Sequence, residues 1–455
     1  MHIGIPNLIF VLILLIAVAI FWRNVGRIRK NIFLGRKIDR SDRKVERWKV
    51  MSRVALGQGK MVTRPIAGLM HIFIYVGFVI INVEILEIVV DGLLGTHRVF
   101  APILGSLYVP FINFFEFLAL LVLISCVVFL ARRNIVKIGR FFKPEMKGWP
   151  TADANYILIF EILLMMAFLI MNAADSVLMR VPSEQLVALG LEKYNAADMQ
   201  DSYFFLSGWL TGFLPDTPES LASVERFAWW FHIIGIFGFL NYLPFSKHFH
   251  IILAFPNTWY SKLEEKGSFT NLESVKKEVE LMMDPSADPF AAPAPDAEPA
   301  APERFGAKDV QDLNWVQLMN AYSCTECGRC TSECPANQTG KLLSPRKVMM
   351  DTRDRLEEVA KNIRSNGEFK DDGRSLVHDF ISPEELWACT TCNACVEACP
   401  VNIDPLSIII DLRRYLVMEE SAAPTELNGM FSNIENNGAP WQFAQADRLN
   451  WAQES

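Results

Sequence analysis

The 455-residue sequence has no nucleotide-binding glycine pattern, no phosphate loop and no recognisable catalytic nucleophile. Nothing in the sequence therefore points to chemistry driven by a bound nucleotide or an acyl intermediate. Cysteine is scarce outside two short segments, which hold eight of the nine. That concentration argues against a secreted disulfide scaffold and suits a reducing compartment. Cys126 is the exception; it lies in an apolar run and reads as a small packing residue. Charge is missing from long stretches, and 51% of the chain is hydrophobic.

What is present begins with two copies of one pattern. Cys324-Thr-Glu-Cys327-Gly-Arg-Cys330-Thr-Ser-Glu-Cys334-Pro335 is followed by Cys389-Thr-Thr-Cys392-Asn-Ala-Cys395-Val-Glu-Ala-Cys399-Pro400. Each run places three thiolates to grip three corners of a cubane iron–sulfur cluster, and the fourth Cys, before a Pro, ligates the other cluster. The expected sets are Cys324, Cys327, Cys330 and Cys399 for one [4Fe–4S] cluster, and Cys389, Cys392, Cys395 and Cys334 for the second. Zinc would want two ligand pairs rather than two quartets with a trailing Cys-Pro.

Five apolar stretches reach the roughly 20 residues that a membrane helix requires: Ile3–Trp22, Pro65–Val83, Phe111–Ala131, Tyr156–Met179 and Phe227–Ser246. The first has neither a basic leader nor a small-residue cleavage site, so an uncleaved helix with its N-terminus outside is expected rather than a signal peptide. Residues 23–64 carry 14 Lys and Arg against three acids, and the loop after the third stretch is also basic. Basic loops stay in the cytoplasm. Five spans then put the cysteine-rich part on the cytoplasmic side of a bacterial inner membrane. A positive-inside loop, with an interfacial helix near Val45–Leu56 on the lipid bilayer, accounts for the basic run without nucleic acid.

His71, His232 and His250 stand out in this setting. His232 and His250 are 18 residues apart, five helical turns, so a straight fifth helix would put them on one face near opposite membrane surfaces. His71 matches His250 in depth. An imidazole from each of two antiparallel helices can hold haem b, with Gly68, Gly77, Gly235 and Gly238 making room for the macrocycle.

With these residues the first 255 positions resemble the cytochrome b (gamma) subunit of respiratory nitrate reductase and the membrane subunit of heterodisulfide reductase. Gly68-Leu-Met-His71-Ile-Phe-Ile-Tyr-Val-Gly77-Phe is similar to the second helix of that family. His232-Ile-Ile-Gly235 and Leu243-Pro-Phe-Ser-Lys-His-Phe-His250 are similar to the fifth. The family's second histidine on the second helix is replaced here by Ile81. One haem b held by His71 and His250 is the expectation, with His232 left for a second, outer haem or for a quinone. Glu84 and Glu87, three apart in the outer half, are candidates for a proton route to that quinone, or for headgroup contacts.

Residues 261–305 read as a charged helix and an Asp/Ala/Pro-rich tether that cannot bury a core. Residues 306–420, with a long helical insert between the quartets, resemble the α-helical ferredoxins of succinate dehydrogenase and heterodisulfide reductase iron–sulfur subunits. The tail, 421–455, contains Asn436-Asn-Gly-Ala-Pro440-Trp441 and Asp447-Arg448-Leu-Asn-Trp451-Ala, and resembles the connector that leads into Cys-Cys-Gly domains in fused relatives. No Cys-Cys-Gly occurs here, so a separate cytoplasmic subunit of that type, or a flavoprotein, is the implied partner. The expected fold is all-α: residues 1–260 as a five-transmembrane-helix bundle joined by the linker to a dicluster ferredoxin domain. The expected function is an electron-transfer subunit of a quinone-linked complex, passing electrons between a cytoplasmic partner, the clusters, haem b and membrane quinone. A redox-linked ion pump and a membrane anchor or redox sensor are the alternatives.

Overall fold

The computed structural model describes residues 4–195, 204–286 and 304–453; most of the Asp/Ala/Pro-rich tether lies outside them. The described residues are helical, apart from loops and two isolated bridges, Arg36 with Asn314 and Val377 with Ile381. Five helical segments are long and apolar enough to cross a membrane. They are α1 (Ile5–Ile32), then, after a short amphipathic helix α2 (Lys44–Met51), α3 (Pro65–Leu94), α4 (Tyr108–Asn134), α5 (Trp149–Leu178) and α6 (Pro218–Tyr242). Proline at the first turn of α3 and α6 loses no hydrogen bond, and Thr217 caps α6 by accepting from Ser220 N.

Leu8, Leu12, Leu15 and Trp22 on α1 are more than half exposed, a surface suited to lipid and costly in water. Inside the bundle α5 packs on α6 and α3 on α4. Gly77 allows the latter approach: a Cβ there would stand 2.4 Å from Val122 Cγ2. Cys126 is fully buried in this core, as its apolar context suggests.

The fifth span does not continue straight to His250. Pro244 supplies no backbone N–H. The chain makes two 3₁₀ turns, Leu243–Phe245 and Lys247–Phe249, with Ser246 extended between them. A new helix, α7 (His250–Trp259), starts at the histidine itself. The expected shared face of His232 and His250 is therefore lost. The charged helix α8 (Glu273–Met283) begins later than the composition suggests, after a turn at Gly267 with φ +88°.

The C-terminal part is built on α9 (Trp315–Ser323), α10 (Pro345–Asn366) and α11 (Pro405–Met418), followed by an exposed helix α12 (Thr425–Asn437). Asn314, Ser344 and Asp404 cap α9, α10 and α11 through their side chains. This part shares one core with the bundle. Ile28, Ile32, Leu243, Phe249 and Leu253 pack with Leu313, Val316, Met319 and Leu412. Arg36 N donates to Leu313 O at 2.8 Å and Trp315 N to Arg36 O at 3.1 Å. Gly35 makes that approach possible, because a Cβ there would lie 2.8 Å from backbone atoms of residues 313–315.

Both basic loops lie at the cysteine-bearing end. Arg346 binds Glu145 and the carbonyl of Arg140, each at 2.7 Å. Arg64 binds Ser332 and Glu333 at 2.8 and 2.9 Å. The basic run is thus a docking platform as well as a charged loop. Helix α2 turns Trp48 onto Trp259 of α7, edge to face at 4.7 Å, and Arg47 is fully buried on the carbonyls of Trp259 and Ser261.

Candidate cofactor sites

The two cysteine runs have the same backbone shape. Left-handed residues stand at Glu326 and Gly328 in the first, and at Thr391 and Asn393 in the second, one before and one after the second Cys of each run. Each loop then enters a one-turn helix, Arg329–Glu333 or Ala394–Ala398, and these two turns pack on one another. That pairing carries the last Cys of each run toward the other. Burial pushes the Cys324 thiol up to about 12, against a lowering by the Glu326 backbone N–H, with the charges of Glu326, Cys327 and Cys399 adding to the rise. Burial and Cys327 raise Cys399 to about 11, against lowering by the backbone N–H groups of Val401 and Ile403 and by Lys60. Cys330 is raised by burial and by Cys324, Cys327, Cys399 and Cys395. Cys389 is raised by burial and then by Cys334 and Cys392, and Cys395 by burial, Asp404, Cys389 and Cys334. So Cys399 neighbours the first trio and Cys334 the second.

All nine cysteines are free of disulfides. Crowded, buried thiols of this kind ionise only when a cation compensates them, which iron in a cluster supplies. Among the described residues no three His, Cys, Asp or Glu side chains close on a single-ion site; a cubane needs a wider cage. Backbone N–H groups point at the sulfurs, from Thr391 to Cys389 Sγ at 3.4 Å and from Ile403 to Cys399 Sγ at 3.3 Å. Such bonds stabilise charge on sulfur and tune cluster potentials.

His71 and His250 face each other at the cysteine-bearing end of the bundle, ring centroids 6.3 Å apart and planes at 43°. A metal bound to both imidazoles at about 2 Å per bond separates the ring centres by roughly 6 Å. His250 Nδ1 is 3.1 Å from Lys247 O; donation there leaves its Nε2 lone pair free for a metal. His248 stacks edge-on to His250 at 5.5 Å. The glycines serve helix packing more than a macrocycle. A Cβ on Gly68 would stand 2.9 Å from Met61 O, and one on Gly235 2.7 Å from Leu164 Cδ2; only Gly238 faces open space.

His232 is 1% exposed, with Nδ1 3.0 Å from Leu164 O and Nε2 without a partner. Its buried lone pair can accept a donor or a metal. His97 is not free to join it, because its Nε2 is 2.8 Å from Asp175.

Glu84 and Glu87 do not reach toward headgroups; they are 1% and 2% exposed. They belong to a buried polar network centred on Arg98. Arg98 Nε donates to Asp175 at 2.7 Å and Nη2 to Asn172 at 2.6 Å, and Glu84 lies 3.5 Å from Nη1. Glu87 accepts from Tyr108 and from Phe100 N at 2.9 and 2.8 Å. Asn172 extends the network to Glu116 at 3.1 Å. Sequence reasoning missed Arg98. The signal was a lone arginine in a short loop between two apolar stretches, beside several acids embedded in apolar helices.

Both cysteine loops dock against the segments that carry the paired histidines. Arg329, in the first run, donates to the carbonyls of Lys60 and Met61 just before α3, the helix of His71, at 3.1 and 3.2 Å. Behind the second run, the carbonyl of Val401 accepts from Asn257 of α7 at 2.7 Å, and Asn402 from Lys60 at 3.1 Å.

Residues 323–403 match the family model of the 4Fe-4S dicluster domain. The C-terminal part is a dicluster iron–sulfur domain. The chain is 28% identical over 480 residues to the "Probable iron-sulfur-binding oxidoreductase FadF" of Bacillus subtilis, covering 98% of this chain and 61% of that protein. It is 27% identical over 445 residues to the "EtfAB:quinone oxidoreductase" of Syntrophomonas wolfei, covering 92% of this chain and 55% of the other. A shorter match, 31% over 150 residues, joins 31% of the chain to 35% of one subunit of the dihydromethanophenazine:CoB–CoM heterodisulfide reductase of Methanosarcina mazei. The chain thus spans less than two thirds of each of these relatives. No solved structure matches it. The relatives are iron–sulfur oxidoreductases and heterodisulfide reductase subunits, consistent with electron transfer.

Proposed function

We propose that the protein is a membrane electron-transfer subunit that relays electrons between a cytoplasmic redox partner, two [4Fe–4S] clusters, one haem b and the quinone pool of a bacterial inner membrane. The observation that carries this reading is the docking of both cysteine loops against the segments that bear His71 and His250. A relay needs its carriers within short tunnelling reach, and the protein's part is to fix that spacing and the carriers' potentials. Cys324, Cys327, Cys330 and Cys399 hold one cluster; Cys389, Cys392, Cys395 and Cys334 hold the other. His71 and His250 hold the haem, which when bound supplies one-electron chemistry at the membrane. The relative named as an EtfAB:quinone oxidoreductase supports the quinone end. The basic loops put the clusters in the cytoplasm and the N-terminus outside.

The soluble partner is a Cys-Cys-Gly-type or flavoprotein subunit. Supporting that, the tail presents Trp441, Phe443, Leu449 and Trp451, each about half or more exposed, and α12 buries no residue. Redox-titrated optical and EPR spectroscopy of the purified protein tests the cofactor set. Two cluster signals and one haem b are expected. Absence of haem from protein loaded with both clusters removes the membrane half of the relay.

A further inference from the structure

A cavity of about 370 Å³ lies where the bundle meets the iron–sulfur domain. That volume is in the range of small-molecule sites. Trp149 and Phe245, 54% and 61% exposed, form a lipid-side mouth, while the exposed Asp354, Glu357 and Arg364 open the opposite side to water. Its wall includes Glu326, inside the first cysteine run, and Phe249, next to His250.

The polar lining is charge-balanced. Four basic residues (Arg27, Lys247, Arg353, Arg364) meet four acidic ones (Asp153, Glu326, Asp354, Glu357). The inner charges are already committed to one another. Lys247 bonds Glu326, and Arg353 reaches it at 2.8 Å. Asp153 accepts from Tyr242, from Ser246 Oγ at 2.8 Å and from Lys247 N at 3.1 Å. An anion such as a lipid phosphate would therefore find no spare buried cation. Asn24 is different: it lines the cavity, is 7% exposed, and its side chain makes no hydrogen bond among the described residues. Its amide opens onto the cavity, free to bond a carbonyl or hydroxyl there.

Resting on the relay reading above, we propose that this cavity is the quinone headgroup site, with Asn24 donating to a headgroup carbonyl and the isoprenoid tail leaving between Trp149 and Phe245. Two electrons and two protons, one to each carbonyl oxygen, convert bound quinone to quinol; the clusters and haem, when bound, would supply the electrons singly. The reverse returns the electrons to the relay and the protons to water through the Asp354 side. The outer-half histidine, His232, is then not needed for quinone.

The test uses the full chain in lipid nanodiscs with menadiol as donor and an azidoquinone as photolabel. Asn24→Leu is expected to raise the KM for menadiol roughly five- to tenfold, the worth of one lost hydrogen bond. Dithionite should still reduce every cofactor, and kcat should change little. Photoadducts in the wild type are expected on peptides holding Trp149–Asp153 or Pro244–Lys247. An unchanged KM in Asn24→Leu, or adducts confined to the region of Arg98 or His232, overturns the site while leaving the relay intact. A wild type that dithionite reduces but menadiol does not would overturn the relay reading itself, and the site with it.

Discussion

Single residues carry the sharpest consequences. Replacing His71 or His250 with Ala is expected to abolish the haem absorption bands while both cluster EPR signals persist; loss of neither band would mean the ligands lie elsewhere. Cys399→Ser should alter the signal of the cluster held by the first run, not the second, because Cys399 neighbours Cys324, Cys327 and Cys330. Arg98→Leu leaves Asp175, Glu84 and Glu87 buried without their cation. Breaking a buried pair in this way costs about 3–5 kcal/mol, readable as a lower melting temperature in nanodiscs. At this scale the sequence was uneven. The cysteines were legible because three of each cubane's ligands are local, each separated from the next by two residues. Arg98 was not, because its partners Asn172 and Asp175 lie 74 and 77 positions away, with no short pattern joining them.

Among the elements, the membrane helices were legible from the length of their apolar runs, but not their starts: α5 begins at Trp149 rather than Tyr156 and α6 at Pro218 rather than Phe227, because polar first turns extend each helix beyond its apolar stretch. The turn between α6 and α7 was only half legible. Pro244 announced a bend, but nothing local specified two 3₁₀ turns and a fresh helix beginning at His250. The contact between α1 and α9 was hidden altogether, since it rests on a close backbone approach at Gly35. Gly35→Ala pushes a Cβ to 2.8 Å from the facing backbone, and overpacking of this kind costs about 1–3 kcal/mol. Expected outcomes are a lower melting temperature and slower haem reduction from the cluster side in stopped-flow, with all cofactors still bound. An unchanged rate would separate that contact from electron delivery.

For the whole molecule, the notable fact is one core under two kinds of surface. Ile28 and Ile32 of the first membrane helix, and Leu243 and Leu253 near the fifth, pack with the helices that frame the clusters. A fragment of residues 304–453 would expose those apolar contacts. It is expected to be poorly soluble and to bind iron substoichiometrically, whereas the full chain in detergent retains its clusters; a soluble, fully loaded fragment would show that the domain stands alone. Sequence-level division into a bundle, a tether and a ferredoxin domain captured composition, which changes sharply along the chain, but not packing, which ignores those changes.

The same core sets an order of events in the cell. Asn31 meets Tyr322, a residue 291 positions later in the chain, so the first helix must wait in the membrane until the last third has been made. Cluster loading is then expected to follow insertion of the N-terminal helices, since the helices that frame the clusters pack on them. Faults in insertion and faults in cluster loading would share one phenotype.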